Sequence, residues 1–259
     1  MSDSKVYAVV TGGSRGLGKA FAIELSKRGI STVLVSSNES VASLCEELKK
    51  KYCVDAQFVV ADLTQRNDIL RAAEEINRRF SIFMLINNAG IGGSQAFDKV
   101  DVAYLEKIIG LNVLAPSLLT KQLLPNLLMQ PQSYILNVSS MAAYTPIGYK
   151  MVYPASKSFV RSFSLSLRAE YAGRGLSVSV VSPGAMATSQ TIRERIEKQG
   201  FLGKLTLVSP DVVAAKCIRQ TLRGKREIYV NPISCFFSQW IPQCFRTVVL
   251  THIVKKEVE

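Results

Sequence analysis

Short apolar runs rich in β-branched residues alternate along this chain with longer segments of helical periodicity, and this alternation limits the possible folds more than any other feature. Strands are predicted over Lys5–Thr11, Thr32–Val35, Ala56–Val60, Ile82–Ile86, Ser133–Val138, Leu176–Val181 and Glu227–Val230. Helices are predicted over 17–28, 41–51, 67–80, 102–114, 116–128, 151–171 and 211–222. Strands joined by helices in this way lie parallel, with right-handed crossovers. The sequence therefore predicts an α/β fold, a doubly wound, mostly parallel seven-stranded sheet with helices on both faces.

Composition is typical of a globular protein in a reducing environment. The 259 residues are 47% hydrophobic and 20% charged, and no repeat or linker divides them, so a single domain over 1–259 is predicted. The five cysteines are scattered without a CxxC pair, which argues against a disulfide framework and against a metal site. The first apolar run is too short for a signal peptide or a membrane span, and this predicts a cytoplasmic location.

The net charge of +12 favours an anionic partner. Nucleic acid, anionic lipid and an anionic small molecule would each account for it. The sequence has no nucleic-acid-binding module and no stripe of aromatic and basic residues, so no nucleic-acid partner is expected. Phosphate-bearing cofactors and substrates explain the charge equally well.

A glycine-rich turn, Thr-Gly-Gly-Ser-Arg-Gly-Leu-Gly at 11–18, separates the first predicted strand from the first predicted helix. Glycines without a Cβ let backbone amides approach a pyrophosphate, and the helix amino terminus adds a positive dipole. An ordinary glycine-rich turn is the alternative, but the flanking strand and helix favour dinucleotide binding. No GK[ST] follows, so ATP binding by a Walker loop is not expected.

Tyr153 and Lys157 lie four residues apart on a predicted helix, so their side chains share a face. A phenol titrates near pH ~10, and a neighbouring ammonium stabilises phenolate and lowers that pKa. A tyrosine with a lowered pKa can act as a general acid and base. This spacing is also common on solvated helices. A catalytic role for the pair therefore depends on the polar residues and the Pro-Gly pair that follow other predicted strands. These are Asp62, Asn88, Ser140 and Pro183-Gly184.

With these motifs the chain resembles the short-chain dehydrogenase/reductase family, near its 3-oxoacyl and hydroxysteroid carbonyl reductases. The resemblance covers about residues 5–188. It rests on the turn at 11–18, Asp62-Leu63, Asn87-Asn88-Ala89-Gly90, Asn112, Ser139-Ser140, Tyr153-Pro-Ala-Ser-Lys157 and Pro183-Gly184. It implies a Rossmann-like fold and an oxidoreductase acting on the CH–OH group of donors.

The resemblance assigns four catalytic residues. Tyr153 would give a proton to the substrate carbonyl oxygen, and Lys157 would lower the pKa of Tyr153 and bind the nicotinamide ribose. Ser140 would hydrogen-bond and polarise the same carbonyl, so Ser140 and Tyr153 would also bind the substrate. Asn112 would anchor a water in the proton relay, unless its amide instead caps a helix kink before Pro116.

Two details of this assignment depend on local geometry. Ser140 is preferred to Ser139 because it lies thirteen residues before Tyr153, the separation that the resemblance to the family implies, and because successive strand side chains point to opposite faces. Pro154 follows the tyrosine where many relatives carry a small polar residue. A proline is tolerated in the first turn of a helix, so a helix that begins near Val152 preserves the site.

The resemblance also assigns the cofactor contacts. Asp62 would accept from the adenine amino group, Asn88 would lie against the adenosine ribose, and Thr188 would hold the nicotinamide carboxamide. The full set of expected cofactor-binding residues is Gly12, Ser14, Arg15, Gly16, Leu17, Gly18, Ser37, Asn38, Asp62, Leu63, Asn88, Ala89, Gly90, Tyr153, Lys157, Pro183, Gly184, Met186 and Thr188.

The end of the second strand favours NADP(H) over NAD(H). An NAD-binding site usually places an acidic residue there to hold the ribose 2′-hydroxyl, and Leu-Val-Ser-Ser-Asn at 34–38 contains none. Arg15 stands where NADP-using relatives carry a base, and Ser37 and Asn38 can donate to phosphate oxygens.

The resemblance implies a substrate lid at residues 185–208, since the substrate loop of the family follows Pro183-Gly184. Apolar residues such as Met186 and Phe201 alternate there with basic ones such as Arg193. Such a lid suits a long apolar substrate with an anionic head, for example a 3-oxoacyl thioester. A solvated charged helix is the alternative.

Residues 228–259 form an apolar carboxyl-terminal extension. Pro232, Pro242 and Arg246 interrupt it, so a membrane-spanning helix is not expected. The extension could pack across the substrate pocket, form a dimer contact, or lie in a membrane interface on the cytosolic side with Trp240 at headgroup level. The single histidine, His252, is expected to be exposed rather than catalytic.

Together these features predict an NADP(H)-dependent reductase that converts a lipophilic ketone reversibly to a secondary alcohol, in lipid metabolism, as a homodimer or homotetramer typical of the family. A non-catalytic NAD(P)-binding regulator or scaffold with the same fold is the alternative. Retention of the proton-relay residues argues against it. A serine hydrolase is disfavoured because the one histidine lies far from any GxSxG.

Overall fold

The computed structural model describes residues 5–184, 208–230 and 240–258. Its strands form one sheet in the order β3-β2-β1-β4-β5-β6-β7, and every neighbouring pair is parallel. The strands are β1 Val6–Thr11, β2 Ser31–Ser36, β3 Ala56–Val60, β4 Ser81–Asn87, β5 Ser133–Val138, β6 Leu176–Val181 and β7 Glu227–Ile228. The predicted doubly wound, seven-stranded α/β sheet is confirmed.

The helices alternate with the strands as predicted, and one more follows the last strand. They are α1 Gly16–Lys27, α2 Val41–Tyr52, α3 Arg66–Arg79, α4 Val102–Ile109, α5 Ala115–Leu128, α6 Tyr153–Glu170, α7 Pro210–Leu222 and α8 Gln243–Val258. A π-helical segment, Gly110–Leu114, joins α4 to α5, and short 3-10 turns cover Phe97–Lys99 and Met141–Tyr144. The sequence did not predict α8 or the π-helical segment.

Two hydrophobic cores lie on opposite faces of the sheet. Helices α3, α5 and α6 pack on one face, where Val9 and Leu85 are buried. Helices α1, α2 and α7 pack on the other, where the neighbouring Val10 and Ile86 are buried. Successive side chains of a strand point to opposite faces, so a sheet covered on both sides needs strands that are apolar throughout. This explains the continuous apolar runs in the sequence.

The order of strands places a crevice at the carboxyl end of β1. The chain proceeds from β1 outward to β2 and β3, then returns to add β4 on the other side of β1. Connections on the two sides of such a reversal leave in opposite directions, and ligands of doubly wound sheets bind in the gap between them. The turn after β1 and the loop after β4 therefore border the candidate site.

Among the described residues one helical stretch is long and apolar enough to cross a membrane by length and composition. It runs from Val102 to Leu128 through α4 and α5, with a mean hydropathy of 1.4. In this structure Leu119, Leu123 and Leu127 of α5 are buried in the core beneath the sheet. Burial in a protein core is the common reason for such an apolar helix.

Helix α8 packs against the loop that precedes α6. The backbone N–H of Gly148 donates to Thr251 Oγ1 at 2.9 Å, and Lys150 pairs with Glu257 at 3.6 Å. The extension also exposes apolar residues, including Trp240 at 73% and Val248 at 69%. The described part of the extension thus packs on the domain, while a dimer or membrane contact of the exposed side stays a prediction. His252, also on α8, is exposed.

Candidate active site

Tyr153 is the first residue of α6, with Val152 as the residue that caps it. Pro154 is therefore in the first turn, where the N–H that proline lacks would have no helical partner in any case. Lys157 follows one turn later and is 5% exposed. The structure thus accommodates Pro154 as the sequence predicts, and it sets the tyrosine and the lysine on one side of α6.

Lys157 is a buried cation held by a backbone carbonyl. Its Nζ donates to the carbonyl oxygen of Val138 at 3.0 Å and lies 5.9 Å from the ring centroid of Tyr153. Removal from water disfavours the ammonium and lowers the pKa of Lys157 to about 8. At neutral pH the side chain keeps its charge, and it loses that charge within the mildly alkaline range.

The pKa of Tyr153 differs from the sequence-based expectation. Burial of the phenol raises this pKa, and a hydrogen bond with Ser140 lowers it by less. The net direction is upward, so the lowering expected from Lys157 is not seen here. The physical reason is that burial penalises phenolate directly, while the ammonium of Lys157 points to the Val138 carbonyl. At neutral pH Tyr153 therefore carries its proton.

The two serines after β5 have different partners. Ser139 Oγ donates to the carbonyl oxygen of Lys157 at 2.7 Å and is buried. Ser140 Oγ accepts from the Ala142 N–H at 3.2 Å and faces Tyr153. Strand alternation produces this difference, and it agrees with the choice of Ser140 over Ser139. The structure brings Ser140, Tyr153 and Lys157 together at one edge of the sheet.

Asn112 lies in the π-helical segment and is buried. Its Oδ1 accepts from the Ile91 N–H at 3.0 Å, and its Nδ2 donates to the Ile91 carbonyl at 2.8 Å and to Ser156 Oγ at 3.0 Å. The amide thus ties the loop after β4 to α6 and does not cap the helix. Both amide hydrogens are used, but Oδ1 has a second lone pair, which leaves one acceptor site for a relay water.

Two glycines after β4 allow close contacts around the catalytic side chains. A Cβ on Gly90 would stand 3.1 Å from both Lys157 Nζ and Asn112 Oδ1. A Cβ on Gly92 would stand 2.7 Å from Cδ2 of the Tyr153 ring. Gly90 was among the expected site residues, but Gly92 was not. The density of glycine at 90, 92 and 93 is a signal that could have identified it.

The glycine turn fits a dinucleotide phosphate. A Cβ on Gly18 would stand 2.0 Å from the Gly12 carbonyl oxygen, so only glycine permits this contact between helix and turn. Arg15, which precedes α1, makes no capping side-chain bond, and no acidic residue lies in the first turn. The positive end of the helix is thus left to an anion.

The loop after β4 is fastened to the end of β1 through Thr11. Thr11 Oγ1 accepts from the N–H groups of Asn88 at 2.9 Å and Ala89 at 3.0 Å. Asn88 Nδ2 donates to the Thr11 carbonyl at 2.9 Å. These bonds fix the floor of the crevice between β1 and β4. They support the expected role of Asn88 in stabilising the central sheet.

The residues expected at the adenosine end lie on the surface of the crevice. Arg15, Ser37, Asn38 and Asp62 are exposed, whereas Leu63 is buried. Asn38 Oδ1 accepts from the Ser40 N–H at 3.2 Å, so a phosphate contact would come from its amide nitrogen.

One oxygen of Asp62 is already engaged with a neighbouring residue. Asp62 Oδ1 accepts from the backbone N–H of Thr64 at 3.0 Å and from its hydroxyl at 2.8 Å. An adenine amino group would therefore bind the other carboxylate oxygen.

The far end of the site is described only in part. The Pro183 carbonyl accepts from the Met141 N–H at 3.0 Å, and Gly184 follows it at the edge of the sheet. Met186 and Thr188 lie outside the described residues, as does the expected lid apart from Val208. Their roles stay predictions.

A polar cluster behind the site was missed from the sequence. Glu227 Oε1 accepts from Arg161 Nε at 2.7 Å and from the Tyr144 hydroxyl at 3.1 Å. The Arg161 guanidinium also lies over the Tyr144 ring, 4.8 Å from its centroid. Tyr144 ends the short 3-10 turn that follows Ser140, and Arg161 lies on α6 two turns beyond Tyr153. The cluster thus connects the two elements that hold Ser140 and Tyr153.

The fold and site together define a dinucleotide-binding protein with a tyrosine, a lysine and a serine at the ligand edge of the sheet. The family model for short chain dehydrogenases matches residues 6–199. The chain therefore belongs to the short chain dehydrogenase family, as the sequence motifs predicted.

Similar proteins differ in what their names say of activity. The chain is 36% identical to a very-long-chain 3-oxoacyl-CoA reductase of Anas platyrhynchos over 75% of its own length and 63% of that protein. It is 29% identical to the human inactive hydroxysteroid dehydrogenase-like protein 1 over 92% of its length and 72% of that protein. The chain thus spans less than two thirds of the first of these relatives.

A solved structure resembles the chain closely in its fold. It is the short-chain dehydrogenase from Sphingobium yanoikuyae in complex with NADPH, with 26% identity and a TM-score of 0.77. The similarity covers 86% of this chain and 87% of that one.

Proposed function

We propose that this protein is an NADPH-dependent carbonyl reductase that converts a lipophilic ketone to a secondary alcohol. One observation carries the proposal: Tyr153 is hydrogen-bonded with Ser140, and its ring centroid lies 5.9 Å from Lys157 Nζ, at the ligand edge of the sheet. NADPH, when bound, supplies the hydride that adds to the carbonyl carbon. A regulator that only bound the cofactor would have no need of this constellation.

Each catalytic residue has a distinct task in this proposal. Ser140 donates a hydrogen bond to the substrate carbonyl oxygen and polarises it. Tyr153 gives its proton to the same oxygen as negative charge develops there. Lys157 binds the ribose hydroxyls, and its positive charge stabilises the phenolate that is left after the proton has been given to the substrate. Asn112 keeps the loop after β4 against α6 and offers the second lone pair of its Oδ1 to a relay water.

The raised pKa of Tyr153 means that the protonated phenol, the form used in reduction, predominates at neutral pH. A protonated phenol can donate, which reduction requires, whereas oxidation of the alcohol requires phenolate as the base. The site is therefore in the form that catalyses reduction near pH 7, and reduction, which consumes a proton, becomes less favourable as the pH rises.

The proposed cofactor is NADP(H). Its support is the absence of an acidic residue in Ser31–Ser36 and at Ser37 and Asn38, together with the exposed Arg15 beside the turn. An acidic residue at the end of β2 would repel a 2′-phosphate, and a guanidinium would bind one. The solved relative bound to NADPH gives further support.

The proposed substrate is a long-chain 3-oxoacyl thioester, and the proposed setting is cytoplasmic lipid metabolism. Similarity to a very-long-chain 3-oxoacyl-CoA reductase supports this substrate class. We also propose that the protein assembles as a homodimer or homotetramer and that its extension makes a peripheral membrane contact.

A non-catalytic NAD(P)-binding regulator is the second candidate, because a relative that aligns over 92% of this chain is named inactive. The test follows NADPH absorbance with 3-oxoacyl thioesters, ketosteroids, sugars and small aldehydes. We expect turnover with a 3-oxoacyl thioester. Tight NADPH binding without oxidation by any of these carbonyls would instead identify the regulator.

A further inference from the structure

The segment before α6 contains two residues in the left-handed backbone region. Tyr149 has a φ of 62° and Met151 has a φ of 55°. Residues other than glycine keep such angles only where surrounding contacts fix the chain, because their Cβ crowds the backbone there. The N–H of Tyr153 donates at 3.1 Å to the carbonyl oxygen of Lys150, which lies between these two residues. The place where α6 begins therefore depends on what holds residues 149–151.

Lys150 joins this segment to two other parts of the chain. Its Nζ donates to Ser94 Oγ at 2.5 Å and lies 3.6 Å from Glu257 Oε2. Ser94 Oγ in turn donates to Glu257 Oε2 at 3.4 Å. Beside these side chains the N–H of Gln95 donates to the carbonyl oxygen of Tyr149 at 2.8 Å. The loop after β4, the segment before α6 and the last turn of α8 thus meet at one cluster.

The carboxylate of this cluster is buried. The side chain of Glu257 is 5% exposed and that of Lys150 is 22% exposed. Burial of a carboxylate is unfavourable unless it is paired with a cation and hydrogen-bonded, and Glu257 has both kinds of partner. Replacing Glu257 by a neutral residue would remove the negative charge that keeps the Lys150 ammonium in this position.

Helix α8 contacts the same segment at a second point. The N–H of Gly148 donates to Thr251 Oγ1 at 2.9 Å. A Cβ on Gly148 would stand 2.6 Å from Thr251 Cγ2, so the helix and the segment are in close contact. Thr251 and Glu257 lie six residues apart, which is ~9 Å along a helix. One rigid element therefore holds the segment at two separate places.

We propose that Glu257 is a positioning residue for Tyr153. It fixes Lys150, and Lys150 fixes the strained backbone from which α6 begins, so that the phenol of Tyr153 keeps its hydrogen bond with Ser140. Thr251 supports the same segment from the previous turns of α8. The expected effect on catalysis rests on the proposed reductase function, whereas the expected effect on the segment does not.

The first test measures the segment without turnover, by amide hydrogen exchange of the full chain and of Glu257→Gln. Glu24→Gln is the control: Glu24 is 15% exposed and pairs with Arg28 at 2.7 Å inside α1, on the opposite face of the sheet from α6. We expect Glu257→Gln to speed exchange in peptides covering 148–156 by about tenfold or more, as local opening predicts. Exchange there should be unchanged in Glu24→Gln, and exchange of the turn at 11–18 should be unchanged in both variants.

The second test measures steady-state kinetics with NADPH and a 3-oxoacyl thioester, well below the melting temperature of each protein. Glu257→Gln should lower kcat about tenfold, as a misplaced catalytic group does, and change the KM for NADPH less than about twofold. Lys150→Met should lower kcat as much, and the double variant should lower it no further, because the two residues act through one contact. Glu24→Gln should keep the parent values.

The two measurements separate this inference from the proposed function. If the parent reduces no ketone but Glu257→Gln still speeds exchange at 148–156, the reductase proposal fails and the hold of Glu257 on the segment stands. Unchanged exchange in Glu257→Gln would overturn the inference whether or not the parent reduces ketones. Faster exchange with an unchanged kcat would show that the contact is structural alone, and the positioning role would fail.

A second variant decides the question if Glu257→Gln does not fold. Thr251→Val removes only the hydroxyl that accepts from the Gly148 N–H, and no charge is lost. Faster exchange at 148–156 together with a lower kcat would support the positioning of Tyr153 by α8. Exchange and kcat both equal to those of the parent would count against it.

Discussion

The Tyr153 ring lies against Gly92, where an added Cβ would stand 2.7 Å from Cδ2 of the ring. The loop after β4 thus forms a wall against the ring of the catalytic tyrosine. Asn112 holds this loop through two hydrogen bonds to Ile91, at 3.0 and 2.8 Å. Positioning of the tyrosine therefore depends on a loop that carries no catalytic side chain of its own.

Gly92→Ala should displace the Tyr153 ring and lower kcat about 10- to 100-fold, the usual effect of a misplaced catalytic group. Gly93→Ala is the matched control, because its Cβ would meet the flexible end of Met151 at 3.0 Å. Steady-state kinetics with NADPH and a 3-oxoacyl thioester measure both variants. Equal kcat values for the two alanine variants would contradict this role of Gly92.

Lys157→Met should abolish activity yet stabilise the protein in the absence of cofactor. The pKa of Lys157 is about 8 against an ordinary 10.5, so the unfolded chain binds the proton more tightly. Below pH 8, burial of the charge lowers the free energy of unfolding of the parent by ~3 kcal/mol, by linkage. The variant avoids this cost but loses the hydrogen bond to Val138, which contributes ~1 kcal/mol.

Between pH 8 and 10.5 the unfolded state of the parent holds more protons, so stability of the parent rises with pH and the advantage of Lys157→Met declines. Urea denaturation of both proteins at pH 7, 8 and 9.5 measures this difference. A variant that is less stable than the parent at pH 7 would show that burial of Lys157 is not unfavourable.

Arg15→Ala should raise the KM for NADPH about 10- to 100-fold and the KM for NADH less than about twofold, since only NADPH has a 2′-phosphate to lose a charged hydrogen bond. Arg78→Ala, at an exposed site on α3, controls for the lost charge. The two cofactors are compared with one substrate at fixed ionic strength. Equal effects on both cofactors would defeat the assignment of NADP(H).

Glu227→Gln should destabilise the protein by about 1 to 3 kcal/mol, because Arg161 would lose a charged acceptor in a partly buried cluster. Tyr144→Phe removes only the hydroxyl that donates to Glu227 and should cost about 1 kcal/mol. In both variants kcat should fall more than KM rises, because the cluster connects the Ser140 segment to α6. Thermal unfolding and kinetics at one pH measure the two effects. A loss of stability with unchanged kcat would show that the cluster is structural alone.

The sheet was predictable because the same pattern, a short apolar run, marks its strands along the chain. Strands buried on both faces must be apolar throughout, and β3, β5 and β6 begin and end where the sequence predicts. The choice of Ser140 over Ser139 was also accessible, since alternation along a strand sends one hydroxyl to Lys157 and the other toward Tyr153.

Other features depend on contacts that sequence spacing does not show. The raised pKa of Tyr153 follows from burial, and the partners of Glu227 lie 66 and 83 residues away along the chain. Helix α8 was missed because apolar residues occur on all of its sides, so no amphipathic period marks it. The π-helical segment at Asn112 similarly has no sequence signal that we recognise.

The most direct test of the account is the activity of Tyr153→Phe. This change removes one hydroxyl and keeps the ring against Gly92, so folding and NADPH binding should be unchanged, as fluorescence titration would show. The rate of ketone reduction should fall by about 100-fold or more, the usual contribution of a general acid. A Tyr153→Phe protein that oxidises NADPH with its ketone at the parent rate would contradict the central claim.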